Sequence, residues 1–174
     1  FHEIEPGHHW QFCLQIENDS LPDYRKNNFI NAFTEGWGEY ASSLGVELGL
    51  YNDPYDYCGR LLMDMFLSVR LVVDTGMNYF GWTREQASEY MSQYLIESPT
   101  QIATETLRYS CDIQGQALGY KIGSLKFMEL REKYSSLLGD QFDVIQFHDA
   151  ILRNGSLPLA VLEKTLDREF GAGE

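Results

Sequence analysis

Apolar residues recur along this 174-residue chain at intervals of three and four, and strict two-residue alternation is almost absent. That period predicts helices nearly throughout. A first helix is expected over residues 7–18, with Trp10, Cys13 and Leu14 toward one side, and "NDSLPD" ends it. Residues 29–48 follow as a second helix despite Gly36 and Gly38. In "YNDPYD", Asp53 caps a helix whose first position is Pro54; it runs to about Thr75, with Gly76 as its stop. "GWTREQ" carries a capping box, Thr83 with Gln86, opening a helix to about Ile96. "ESPTQ" repeats the device, with Ser98 at the cap, Pro99 first and Gln101 third. The pattern breaks around residues 112–115, then resumes as a long helix over 116–138 and two shorter ones over 144–153 and 159–170. The fold class is all-α, with seven or so helices, no internal repeat and no clear interdomain linker.

Composition narrows this picture. At 44% hydrophobic residues the chain can bury a substantial core, and one helical domain over residues 1–174 is the expectation. A formal net charge of −13 argues against nucleic acid as a partner, because that binding rests on Lys and Arg neutralising phosphates. No apolar run reaches the ~20 residues of a membrane span; the longest, residues 61–73, contains Asp64 and Arg70. Cys13, Cys58 and Cys111 are scattered and odd in number, so they read as small buried apolar residues. The chain lacks an initiator Met and starts one residue before a His-Glu pair, which reads as a fragment of a longer protein.

The chemistry concentrates at the start, in "FHEIEPGHHW". A zinc peptidase needs two neutral imidazoles, a third ligand that is often a carboxylate, and a free Glu to take a proton from a water polarised by the metal. The usual solution is H-E-x-x-H on one helix, where two His four residues apart share a face. His2 and Glu3 supply the first half, but the position four after His2 is Pro6, which cannot ligate. On a regular helix His2 and His9 would stand roughly 10 Å apart along the axis, too far to share one ion. A bulge at Glu5-Pro6-Gly7 that absorbs about one turn would return either His8 or His9 to the place of the second ligand. In "TEGWGEY", Glu35 and Glu39 lie four apart and share a helix face. Gly36 and Gly38 weaken that helix by about 1 kcal/mol each, which makes sense where something approaches its backbone closely. A carboxylate-bridged di-iron bundle needs two Glu-x-x-His motifs, and only Glu5–His8 fits.

These stretches, with "RLVVDTG", "GWTREQA" and "RYSCDIQGQALGYKIG", resemble the bacterial domain-of-unknown-function 885 family, whose signature is H-E-x-x-P-G-H-H-x-Q. The resemblance covers roughly residues 1–123. Many members are described as lipoproteins, and the family is grouped with zinc peptidases that use a Glu third ligand. Its members are much longer, so the chain would be a C-terminal part. A fainter similarity runs to the angiotensin-converting-enzyme type of gluzincin peptidase, which is all-helical. There H-x-Q-aromatic matches His9-Trp10-Gln11-Phe12, the second acidic block matches Glu35 to Glu39, and an R-Y pair matches Arg108-Tyr109. This chain departs from the family pattern at Leu67, Asn78 and Gln114.

The resemblance implies a helical metallopeptidase catalytic portion that hydrolyses peptides. It implies Zn²⁺ held by His2, His9 and Glu35, with His8 as the alternative to His9. Glu3 would be general base and then general acid, and Glu39 would orient a ligand His through its other nitrogen. Tyr109 would donate to the oxyanion, and Arg108, Tyr120 or Lys121 would bind a substrate carboxylate. Tyr109 also reads as an ordinary buried tyrosine, and Arg108 as a partner of Glu105 or Asp112. Arg70 and Asp74, four apart, read as a structural ion pair, and His148 lies outside every motif. A first ligand beside a free terminus would hold zinc weakly. The second functional reading is a catalytically inactive binding or surface lipoprotein that keeps the peptidase fold. The resemblance leaves the compartment open between extracytoplasmic lipoprotein and cytoplasm.

Overall fold

The computed structural model describes residues 1–171, which are all-helical with no strand among them. The helices are α1 (His8–Glu17), α2 (Asp23–Lys26), α3 (Asn31–Glu47), α4 (Pro54–Asn78), α5 (Arg84–Tyr94), α6 (Pro99–Leu107), α7 (Leu118–Leu138), α8 (Val144–Leu152) and α9 (Leu159–Phe170). A π-helical turn, Arg108–Asp112, follows α6, and a 3₁₀ turn, Gly139–Gln141, follows α7. The start signals act where the sequence places them. Asp53 accepts from the Tyr55 N–H with Pro54 at the first position, and Thr83 and Gln86 form both halves of a capping box. Ser98 accepts from the Gln101 N–H, while the Gln101 side chain turns instead to Glu105. Two features differ from expectation. The single turn α2 lies where only a break is expected, because one turn is too short to show a period. α4 continues past Gly76, because that glycine serves packing rather than termination: a Cβ there would lie 2.4 Å from the Trp82 ring.

The chain forms two compact units, one of Phe1–Leu44 with the chain from Ile122 onward, the other of Gly45–Lys121. In the first, Phe33, Trp37, Tyr40, Ala41 and Leu44 make one stripe of α3 and meet Phe127, Leu130 and Tyr134 of α7, Phe147 and Ile151 of α8, and Leu162 and Leu166 of α9. Burying each large apolar side chain here contributes about 1.5–3 kcal/mol. α3 and α7 cross with their backbones in contact: a Cβ on Gly36 would lie 2.4 Å from Gly123 Cα, and one on Gly123 would lie 2.0 Å from the Ala32 carbonyl oxygen. The opposite face of α3 carries Glu35, Gly38 and Glu39. Gln15 of α1 is buried and fully used, donating to the carbonyls of Arg25 and Asn28 and accepting from the Ser156 N–H. That fixes α1, and with it the preceding His-rich loop, onto the unit.

In the second unit, Val69 and Val73 of α4 pack with Ala87 and Met91 of α5, Ile102 of α6, Tyr109 of the π turn and Ala117. Asp74 binds the Gly115 N–H with both oxygens, and Asn78 donates to Asp74 and to the Tyr109 carbonyl. α4 and the π turn are thereby tied together.

Candidate metal centre

Residues 1–7 are not helical, yet their backbone is ordered by three hydrogen bonds that each reach back six residues: His8 N–H to His2 O at 2.8 Å, His9 N–H to Glu3 O at 3.0 Å and Trp10 N–H to Ile4 O at 3.3 Å. The ordinary four-residue ladder begins at the next bond, Gln11 N–H to Gly7 O. Two residues more than an α-helical turn are therefore looped out between His2 and His8, and the register returns His8 beside His2. Gly7 is required at the crossing, since a Cβ there would lie 1.8 Å from the His2 carbonyl oxygen. The loop is pinned to the core by Trp37, whose indole N–H donates to the Pro6 carbonyl at 2.9 Å.

The two imidazoles meet edge to face, with ring centroids 4.5 Å apart. His2 Nε2 lies 3.5 Å from Glu35 Oε2, and His8 Nε2 lies 3.2 Å from the same oxygen. His2 turns its other nitrogen, Nδ1, to Glu39 Oε1 at 2.8 Å. The His2 ring lies directly on the α3 backbone, where a Cβ on Gly38 would stand 2.8–3.0 Å from three of its atoms. Gly36 and Gly38 thus both mark close approaches, one of a helix and one of an imidazole. The His8 ring stacks on Phe12, one turn further along α1. Glu3 is exposed, and His2, Glu3 and His8 each bring a ligating atom within 4.8 Å of the other two. Burial works against a charge on His2, but hydrogen bonds to Glu35 and Glu39 outweigh it and raise its pKa to about 9.

This donor set fits a tetrahedral zinc ion. Two ligand atoms each about 2.1 Å from such an ion stand about 3.4 Å apart, which is the spacing of the two imidazole nitrogens from Glu35 Oε2. His9, the ligand favoured by the angiotensin-converting-enzyme register, is not at this centre. One residue of helical rotation turns it outward, where it is exposed and its ring nitrogens lie 3.8 Å from Cys13 Sγ. His8, the alternative, is the imidazole brought to Glu35.

The downstream candidates belong to the second unit and have partners of their own. Tyr109 is fully buried, and its hydroxyl donates to Glu105 Oε2. Burial first, then that bond, push the phenol well above its ordinary value. In this arrangement the hydroxyl is bonded to Glu105, the ordinary buried-tyrosine reading of that residue. Arg108 is half-exposed and bonds Glu105 Oε1 at 2.7 Å, the ion-pair reading of that residue. Tyr120 packs its ring 4.7 Å from the Arg70 guanidinium, and Lys121 pairs with Asp64 at 2.7 Å. Arg70 does not pair with Asp74; it lies 3.8 Å from Glu105 Oε2, between the rings of Tyr109 and Tyr120. Glu105 is the centre that sequence reasoning treats only as a partner of Arg108. The signal for more was its place on one helical face, three before Arg108 and four before Tyr109. His148 is half-buried, and its Nε2 meets the Tyr40 hydroxyl at 2.8 Å. Cys58 and Cys111 are exposed and Cys13 is half-buried, all three as free thiols, so the expected burial of cysteine does not hold.

Comparison with known proteins places the chain by family. Residues 1–166 match the model of a bacterial protein family of unknown function, DUF885. A solved structure of a putative lipoprotein from Colwellia psychrerythraea is 45% identical, with a TM-score of 0.94 over 98% of this chain and 29% of its own. A putative lipoprotein of unknown function from Shewanella oneidensis is 25% identical, with a TM-score of 0.85 over 95% of this chain and 30% of its own. The chain therefore spans less than a third of the length of these relatives. No curated protein matches it. No helix among the described residues is long and apolar enough to cross a membrane. The looped His2–His8 segment begins the matched region, and the chain belongs to the DUF885 family of bacterial proteins.

Proposed function

We propose that the chain carries the zinc-binding and proton-transfer residues of a metallopeptidase, with His2, His8 and Glu35 as ligands. The observation that carries this reading is the approach of two imidazole nitrogens to one carboxylate oxygen, at 3.5 and 3.2 Å. Zinc in such a site polarises a peptide carbonyl and lowers the pKa of water. The residues do the rest. Glu39 accepts a hydrogen bond from the His2 Nδ1–H, which fixes the tautomer and leaves Nε2 as the ligating atom. His8 uses Nε2 likewise, since its Nδ1 is buried without a hydrogen-bond partner. Glu3 is free in solvent beside both rings, so its carboxylate receives the proton of the attacking water and returns it to the leaving amine. Peptide is the proposed substrate class.

The test is metal analysis and peptide hydrolysis on the full-length natural protein. About one zinc per chain is expected, with Glu3→Gln keeping the metal and losing 10²–10⁴-fold in kcat, the usual contribution of a positioned acid–base group. Unchanged hydrolysis in Glu3→Gln refutes the mechanism. Zinc binding without any peptide hydrolysis favours the second reading, an inactive lipoprotein that keeps the fold; the commitment of the Tyr109 proton to Glu105 is the observation on its side.

A further inference from the structure

α4 is one continuous helix with two unlike halves. From Leu67 onward it is packed, with Leu67, Val69, Arg70, Val73, Asp74 and Gly76 buried. Its first three turns hold no fully buried residue, although their composition is that of a core helix. Tyr55, Tyr57, Leu61, Leu62, Met63 and Met65 are all large and all exposed, Tyr55 by 85% and the rest by 42–51%. At 100° per residue, Asp56, Arg60 and Asp64 fall on one narrow stripe. The six apolar side chains occupy the remaining roughly two-thirds of the circumference. A helix apolar over that much of its surface is a buried helix, and a contiguous exposed apolar area of this kind marks an interaction site. Leu48 and Leu50, just before α4, extend the patch in sequence and are exposed as well.

The relatives indicate what covers it. Each matches nearly all of this chain with less than a third of its own length, so about seven-tenths of each relative lies outside the matched region. We propose that the first half of α4, from Tyr55 to Met65, is the seat of an intrachain interface, covered by an apolar surface of the additional region carried by longer members of the family. The interface takes an aliphatic and aromatic partner surface on both flanks of the helix and leaves the Asp56–Arg60–Asp64 stripe at its rim. It is independent of the metal reading, which concerns other residues.

The test uses the natural polypeptide that contains this sequence. p-Benzoylphenylalanine is placed at Leu61 and, separately, at Tyr57, and the purified protein is irradiated. The expected product is an intramolecular cross-link that runs as monomer and maps by mass spectrometry to a residue outside the 174 described by this sequence. A cross-link between two copies overturns the proposal in favour of a homodimer face. It also falls if neither position cross-links, if the link stays within residues 1–174, or if the natural polypeptide holds nothing more than these residues. As a second measurement, the Leu61→Asp/Leu62→Asp double variant of the same polypeptide is expected to melt several degrees lower. An unchanged Tm counts against the interface. Should the double variant fail to fold, the cross-linking result, read on an otherwise native protein, still decides.

Discussion

The two units each bury a glutamate, Glu39 in the first and Glu105 in the second, and they satisfy it in opposite ways. Glu105 is met by the guanidinium of Arg108, the hydroxyl of Tyr109, the amide of Gln101 and, at longer range, Arg70. An arginine does not lose its proton at any ordinary pH, so the cations that meet Glu105 keep their charge. Glu39 and its neighbour Glu35 are met by imidazoles. An imidazole changes charge near neutrality and binds metals when neutral, so the same carboxylates can trade protons for an ion. The difference teaches that burial of a carboxylate does not by itself mark a site. What marks it is a partner that can leave and a second partner aimed at the same point.

The largest expected effect tests the convergence in the first unit. Outer-sphere changes at metal sites cost 10–100-fold in affinity, so His8→Ala, which removes a ligand, is expected to weaken zinc binding by more than about 100-fold in calorimetry. His9→Ala should leave it within a few-fold, and the reverse order would restore the other register. Next comes the second unit. Arg70→Met leaves Glu105 short of a buried cation, and breaking a buried ion pair on one side costs about 3–5 kcal/mol. Urea unfolding should show that loss with zinc affinity unchanged; a neutral result would mean that Arg70 does not hold the cluster. Tyr109→Phe removes the donor to Glu105 Oε2 and is expected to cost about 1–3 kcal/mol. A large fall in kcat at unchanged stability would instead return Tyr109 to catalysis.

The mildest effect is a pH dependence of the metal-free protein. His2 has its pKa raised from 6.5 to about 9 in the folded state. A raised pKa means that folding is favoured by the protonated form. The contribution is therefore complete below pH 6.5 and disappears as pH rises through about 9. Since a fifth of the His2 side chain is exposed, water screens the pair and the change is small beside those above. Urea midpoints in chelator from pH 6 to 9.5 should fall, and Glu39→Gln should flatten the curve. Rising stability over that window would contradict the hydrogen bonds assigned to His2.

Much of the helical pattern was legible from period and capping residues, because those are local. Asp53-Pro54 and Thr83-Gln86 act through their own backbone, and the sequence places both. Glu35 and Glu39 were legible as a shared face for the same reason, and Gly36 and Gly38 as points of close approach, though not of what. The choice between His8 and His9 was not legible. It depends on how many residues the loop absorbs, and that is fixed by three six-residue hydrogen bonds and by the Trp37–Pro6 bond across 31 residues. For Tyr109 the R-Y pair points to an oxyanion role, and the sequence did not show that its hydroxyl on the π turn meets Glu105, four residues back on α6. Arg70 and Asp74 share a helix face, yet each finds a better-placed partner away from α4 itself. Spacing along one helix says which side chains are neighbours and not which of several neighbours wins.

Trp37 stands with its ring in the core of the first unit and its N–H on the Pro6 carbonyl of the looped segment. The protein thus holds a native optical reporter wired to its candidate metal centre. Indole emission depends on hydrogen bonding and on nearby rings, and here the ring lies against Tyr40 and His148. With Trp10 and Trp82 replaced by Phe, the single remaining tryptophan, excited at the red edge where tyrosine does not absorb, would register any shift of the Pro6 carbonyl. Motion of the loop could then be followed in real time, without a dye and without a substrate.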